Sequence, residues 1–91
     1  MTKLWITRII PKDKETEEEI ITLCDKLTNI DKTFIYRKRG KIIEVFSPTR
    51  DLAIKRGVYL YHNSTKRLIY HITYVNVEKK RFEKMFGDSY G

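Results

Sequence analysis

The sequence contains little cysteine and no long apolar segment. Its single cysteine, Cys24, cannot form an internal disulfide or build a cysteine-rich metal site. No apolar run approaches the roughly 18 residues of a membrane-spanning helix. The N-terminal residues also lack the apolar core and the small-residue cleavage site of a secretory signal. We therefore expect an intracellular, cytoplasmic protein (in the host cytoplasm if the source is viral) with no membrane partner.

Glutamine and alanine are also scarce, and this composition indicates the kind of organism from which the sequence comes. Glutamine is absent and alanine occurs only as Ala53, whereas lysine, isoleucine, glutamate and tyrosine are abundant. Such a composition fits an AT-rich or thermophilic source. The chain has 91 residues, 41% of them hydrophobic, which is enough for one core and too much for a disordered chain. We expect a single α+β domain over residues 1–91.

Charge is distributed unevenly along the chain. Nineteen Lys and Arg against twelve Asp and Glu give a net charge of +7. Residues 12–31 hold seven acids and three bases, whereas residues 32–91 hold fourteen bases and five acids. This segregation predicts a positive surface patch, for which a polyanion such as nucleic acid is the usual partner. A solvated surface that keeps the protein soluble is the alternative interpretation.

The first part of the chain predicts a strand and a helix. Residues 3–10 are rich in β-branched and aromatic types and predict a strand. Thr16 and Glu19 have the spacing of a capping box, which predicts a helix over residues 14–30. Cys24 lies on the apolar stripe of that helix, so we expect it to be an unreactive core residue.

A hairpin and a second helix follow. Arg39-Gly40 is a turn signal between strands predicted at 33–38 and 41–46. Ser47-Pro48 then predicts a helix start, with serine as the N-cap and proline at the first helical position.

The segment after this helix start allows two interpretations. Gly57 either ends the helix before an extra strand at 58–62, or lies inside a helix that continues to Tyr61. The aromatic and β-branched content of residues 58–62 favours the strand.

The last strand and helix complete the predicted order of secondary-structure elements. A strand is predicted over 67–75, and Asn76 is the expected N-cap of a final helix whose apolar side holds Phe82, Met85 and Phe86. The order predicts a ferredoxin-like split βαβ sandwich: an α+β fold with an antiparallel sheet, an optional extra strand and a C-terminal helix. The predicted core comprises Leu4, Ile6, Ile20, Leu23, Leu27, Ile35, Val45, Phe46, Ile54, Leu68 and Ile72.

Basic residues surround the predicted hairpin turn. Arg37, Lys38, Arg39 and Lys41 could bind phosphates while Tyr36 stacks on a base, or they could only protect an edge hairpin from aggregation. These residues predict binding of RNA or single-stranded nucleic acid. A second basic set near the following turn extends the predicted patch: Lys55, Arg56, Lys66 and Arg67.

Parts of the chain resemble the RNA recognition motif. The first strand, Lys3–Ile9, the acidic helix start Glu17–Ile20, and Arg39-Gly40 with Phe46 are similar to the motif's corresponding segments. The resemblance implies a ferredoxin-like fold that binds RNA on its sheet. The family carries several stacking aromatics on that sheet, and Trp5 is the one counterpart in this sequence.

The role of Trp5 depends on which face of the first strand meets the helices. If Leu4 and Ile6 face the helices, alternation places Trp5 on the open face of the sheet, where a base could stack. The alternative is a partly buried packing residue. A C-terminal helix over the sheet would hide any stacking surface.

Two other function classes fit parts of the sequence. Residues 57–72 resemble the hairpin of RelE-type ribonuclease toxins. The resemblance implies that His62, Arg67 and Tyr70, with Tyr61 as a further candidate, surround an RNA phosphate, but that family requires a helix over 33–46. A protein-interaction module, such as a viral or mobile-element inhibitor with an acidic partner, is the third class. No spacing specifies a catalytic residue, cofactor or metal site, so we expect none.

Overall fold

The computed structural model describes residues 1–88 and contains a four-stranded antiparallel sheet with helices on both faces. The elements are β1 (Thr2–Pro11), α1 (Lys14–Ile30), β2 (Ile35–Arg39), β3 (Ile42–Ser47), α2 (Arg50–His62), β4 (Leu68–Val77) and α3 (Lys79–Phe86). The strand order β2-β3-β1-β4 inserts β3 between β1 and β2, which are joined through α1. This confirms the ferredoxin-like split βαβ arrangement with a C-terminal helix. No helix within residues 1–88 is long and apolar enough to cross a membrane.

The first face of the sheet is covered by α1 and α2. The Thr7 hydroxyl of β1 donates a hydrogen bond to the Ala53 carbonyl of α2 over 2.8 Å. Ile9, two residues further along β1, packs in the same layer, because side chains at i and i+2 share a face. Buried residues of the main core are Ile9, Ile20, Cys24, Phe34, Ile43, Val45, Leu60 and Leu68.

The second face of the sheet is covered at one end by α3. Phe82 and Phe86 of α3 pack against Leu4 and Val77, with Phe46 at the margin. This second core explains why β1 is apolar on both faces. It also decides which face of β1 meets which helices: Leu4 and, two residues further on, Ile6 face α3 and not α1 and α2.

The helix starts differ from the predicted caps. Asp13 is the N-cap of α1, and its carboxylate accepts a hydrogen bond from the Thr16 backbone N–H over 2.8 Å. Thr16 is buried and its hydroxyl bonds that of Thr65 at 2.7 Å, so the capping box with Glu19 does not form. The N-cap of α2 is Thr49.

The favoured interpretation of residues 58–62 as a strand is wrong, because α2 continues to His62. Gly57 explains the continuation. A Cβ there would lie 2.9 Å from the Tyr70 ring and 3.2 Å from the Thr7 methyl group, so glycine lets α2 approach the sheet closely. Leu60 on the next turn is fully buried. Tertiary packing thus outweighs the local strand preference of these residues.

The remaining boundaries shift by a few residues. Asn76 lies inside β4, and Glu78 precedes α3 without a side-chain cap. The hairpin turn is Gly40-Lys41, with Gly40 at a φ of +63° that favours glycine. Of the predicted core, Leu4, Ile6, Ile20, Val45 and Leu68 are buried, whereas Leu23, Leu27, Ile35, Phe46, Ile54 and Ile72 are only half-buried.

Candidate nucleic-acid interface

Four polar side chains form a row across the second face of the sheet. The strand registers pair Arg37 with Glu44, Glu44 with Arg8, and Arg8 with His71, one residue from each strand. The row lies on the face that α3 covers, because Arg8 is four residues from Leu4 in β1 and therefore points to the same face, and Leu4 packs on α3. It occupies the part of this face next to the end that α3 covers.

Glu44 is the centre of this row. Its side chain is fully buried, and it accepts hydrogen bonds from Arg37 Nε at 2.8 Å, Arg8 Nε at 3.0 Å and Arg39 Nη2 at 3.4 Å. The arginine side chains are themselves 32–57% exposed. We call Arg8, Arg37 and Arg39 around Glu44 the arginine cluster. It carries three positive charges against one negative charge.

The cluster keeps Glu44 ionised. Burial by itself raises the pKa of a carboxyl group, but the hydrogen bonds from Arg37 and Arg8 and the nearby charges outweigh it, so the pKa of Glu44 lies below its usual value. The ionised carboxylate holds Arg8 and Arg37 by their Nε–H groups. Among residues 1–88, the Nη groups of these two arginines make no further hydrogen bond, which leaves them available to an anion.

The predicted hairpin residues divide between the two faces. Arg37 and Arg39 belong to the arginine cluster, whereas Lys38 points to α1 and binds Glu17 at 2.8 Å. Lys41 is exposed in the turn.

Tyr36 is on the α1 side of β2. Its hydroxyl donates a hydrogen bond to Asp25, which raises the pKa of Tyr36 to about 12. The ring lies 6.5 Å from that of Phe34 and packs on the main core. The structure therefore corrects the expectation that Tyr36 stacks beside the basic hairpin tip, because it holds the ring between β2 and α1.

Arg56 belongs to the interior and not to an exposed basic set. Its side chain is 9% exposed and donates hydrogen bonds to Ser47 Oγ at 3.0 Å, the Phe46 carbonyl at 3.2 Å and Thr33 Oγ1 at 3.1 Å. It also forms an ion pair with Asp31 at 3.3 Å. These contacts tie α2 to β3 and to the end of α1, which corrects the expectation of a phosphate contact.

The other members of the second basic set are dispersed. Arg67 binds Asp13 at 2.5 Å and Glu15 at 3.2 Å, both at the start of α1. Lys66 is exposed in the loop before β4, and Lys55 is exposed on α2. No continuous extension of the hairpin patch results from these positions.

Trp5 lies on the first face of the sheet, in phase with Thr7. Its ring is 5.1 Å from that of Tyr74, and the Lys3 ammonium lies 4.7 Å from the Tyr74 ring centre. The side chain is half-buried. Of the two alternatives for Trp5, the structure agrees with the partly buried packing residue, because Leu4 packs on α3 and Trp5 therefore lies on the face that α1 and α2 cover.

The grouping of Arg8, Glu44 and His71 is not predicted by the sequence. Arg8 and Glu44 each interrupt a run of apolar residues, which signals a polar site on a buried face. Their juxtaposition with His71 depends on strand register, and no local pattern specifies the register between β1, β3 and β4.

The alternative sites find less support in the geometry. Residues 33–46 form β2 and most of β3, and residues 57–62 are helical, so the hairpin required by the ribonuclease-toxin interpretation is not formed. Within the described part of the chain, no group of His, Cys, Asp and Glu side chains could hold a metal ion. No family model, curated protein or solved structure matches this chain.

Proposed function

We propose that this protein binds nucleic acid, RNA or single strands in particular, through the arginine cluster and the adjoining hairpin turn. The observation that carries the proposal is the convergence of Arg8, Arg37 and Arg39 on one buried carboxylate. Three cations around one anion leave an excess of positive charge on the sheet. Guanidinium groups bind phosphate oxygens through paired N–H donors, which suits a nucleic-acid backbone.

The restraint imposed by Glu44 favours phosphate binding. A free arginine side chain loses rotamer freedom when it binds a ligand. Arg8 and Arg37 have already lost part of that freedom, because their Nε–H groups are held by the carboxylate. The Arg37 guanidinium also stacks at 5.4 Å from the Phe46 ring centre.

Apolar surface beside the cluster favours a single strand over a duplex. Ile10 and Ile69 pair across β1 and β4 on the same face as Arg8, and they are 36% and 57% exposed. Unpaired bases can pack on such a surface while phosphates reach the arginines. Sheets that bind single strands combine basic side chains with an apolar platform for the bases, which is usually aromatic and is aliphatic here.

The test compares single- and double-stranded RNA and DNA at two salt concentrations, with two double variants of equal charge. R37Q/R39Q removes two cluster cations and leaves Arg8 to pair with Glu44. K26Q/K32Q removes two exposed cations in and just after α1, the helix that covers the face of the sheet opposite to the cluster. We expect R37Q/R39Q to weaken binding at least tenfold and K26Q/K32Q by less than twofold. Equal weakening by the two variants, or no binding by the unmodified protein, would contradict the proposal.

An acidic protein surface is the second candidate partner. The cluster already binds one carboxylate, that of Glu44, so its chemistry also suits Asp and Glu side chains of another protein. Binding to an acidic polypeptide but to none of the four nucleic acids would favour this candidate.

A further inference from the structure

The edge strand β4 has an unusual composition for its position. Charged residues make up 34% of the chain, yet Leu68–Val77 contains no Lys, Arg, Asp or Glu, and no Pro or Gly. The opposite edge strand, Ile35–Arg39, has three cations in five residues. Edge strands of soluble proteins are normally protected by charge, proline or bulges, because their unpaired N–H and C=O groups can bind another strand.

Within residues 1–88, the outer edge of β4 pairs with no other strand, and it is long and regular. All ten residues pair in unbroken register with β1, so no bulge twists the edge away. At the usual rise per residue, the strand extends about 33 Å. Its exposed apolar side chains lie on both faces: Ile69 and Val75 on the face of the arginine cluster, and Tyr74 on the other.

We propose that β4 pairs antiparallel with β4 of a second copy of this chain, which joins two sheets into one of eight strands. Antiparallel pairing of a strand with itself satisfies a two-fold axis, so each copy uses the same surface. The charge distribution favours a second copy as the occupant. Each chain carries +7, and two copies would repel if a cationic edge met another, but β4 brings no charged side chain to the contact.

The register follows from the exposed side chains. A two-fold axis at Ile72 places Ile69 opposite Val75 of the partner subunit and Tyr70 opposite the partner's Tyr74. Ile69 and Val75 are 57% and 40% exposed in the monomer, so this register places two of the strand's three exposed large apolar side chains side by side on one face of the sheet. Cross-strand pairs of aromatic and β-branched residues stabilise sheets.

The dimer would display both arginine clusters on one face, because the axis is perpendicular to the sheet. Three strand spacings separate β1 from β1 of the partner subunit, about 14 Å. A single nucleic-acid strand could then contact both clusters. This last consequence rests on the proposed function, whereas the pairing itself does not.

The test measures the oligomeric state by sedimentation equilibrium as a function of concentration, with two substitutions that each add one lysine. V75K places a charge in the pairing surface, and I30K places the same charge on a residue that is 80% exposed at the end of α1. We expect a dimer for the unmodified chain and I30K, and at least tenfold weaker dimerisation for V75K with unchanged far-ultraviolet circular dichroism. A monomer of 11.0 kDa at about 1 mM overturns the proposal. So does a dimer that V75K leaves intact.

Cross-linking supplies an independent measurement that does not depend on how V75K folds. I72C puts one cysteine of each copy at the proposed axis, whereas the native Cys24 is fully buried and its pKa is raised to about 12, so it stays unreactive. We expect mild oxidation to cross-link I72C into a covalent dimer much faster than I30C. Equal cross-linking rates for the two variants would mean that β4 does not pair with itself.

Discussion

At the residue scale, Glu44 is the group on which the arginine cluster depends. A buried carboxylate without partners would lose its charge, because burial disfavours the ionised form. Three arginines keep it ionised, and it in turn places two guanidinium groups on the sheet surface. A single buried acid thus positions basic side chains on the second face.

Replacing Glu44 with glutamine should destabilise the protein by about 2 kcal/mol at neutral pH, because hydrogen bonds to a charged group are lost while the half-exposed arginines remain solvated. The folded pKa of Glu44 lies below its usual value of 4.5, so its contribution is present above that pH and is lost as pH falls through the folded pKa. Urea unfolding of both proteins at several pH values tests this. The difference in unfolding free energy between the two proteins should shrink below pH 4.5. The other Asp and Glu residues titrate in both proteins, so their contributions cancel in this difference. A difference that stays constant with pH would contradict the role given to Glu44.

Replacing Trp5 with alanine tests its position on the first face. The half-buried ring packs against Tyr74, so we expect the free energy of unfolding to fall by about 2 kcal/mol, below the range for fully buried aromatics. Affinity for nucleic acid and its salt dependence should stay unchanged when measured well below the melting temperature. A tenfold weaker affinity in a protein of normal stability would instead return Trp5 to the binding surface.

At the scale of elements, the hairpin presents its cations alternately to the two faces of the sheet. Arg37 and Arg39 reach the second face, and Lys38 reaches Glu17 of α1. This alternation follows from the period of two in a strand. It means that four neighbouring cations in the sequence do not form one contact surface.

Neutralising Arg37, Lys38, Arg39 and Lys41 together should weaken binding to all sequences alike. The slope of log K against log salt should fall by about 0.7 for each phosphate of a single strand that the protein no longer neutralises. Because Lys38 faces α1, we expect the single variant K38Q to leave the slope unchanged, whereas R37Q lowers it. Titrations of one oligonucleotide at several salt concentrations measure both, and equal effects of K38Q and R37Q would contradict the division between faces.

At the scale of the whole molecule, one sheet separates two cores. The main core lies under α1 and α2, and the smaller one lies under α3. Both contain residues of the central strand β1, so disruption of either should affect the whole sheet.

Replacing Phe82 with alanine tests this coupling. Phe82 is 1% exposed in the smaller core, and truncation of a buried phenylalanine costs about 3–5 kcal/mol. We expect one cooperative unfolding transition at lower urea, seen equally by Trp5 fluorescence and by far-ultraviolet circular dichroism. Two separate transitions would show that α3 unfolds independently of the main sheet.

The sequence by itself determined the order of the elements apart from residues 58–62, the long acidic helix α1, the burial of Cys24 and the separation of positive from negative charge. Each of these depends on local periodicity, turn residues or composition. The tertiary structure decided which face of β1 meets which helix, because α3 gives both faces an apolar partner and alternation alone cannot tell them apart. It also extended α2 through Gly57, whose close approach to Tyr70 involves residues far apart in the chain. The arginine cluster appears only when strand register brings Arg8 and Arg37 to Glu44, and register is set by the packing of the whole sheet.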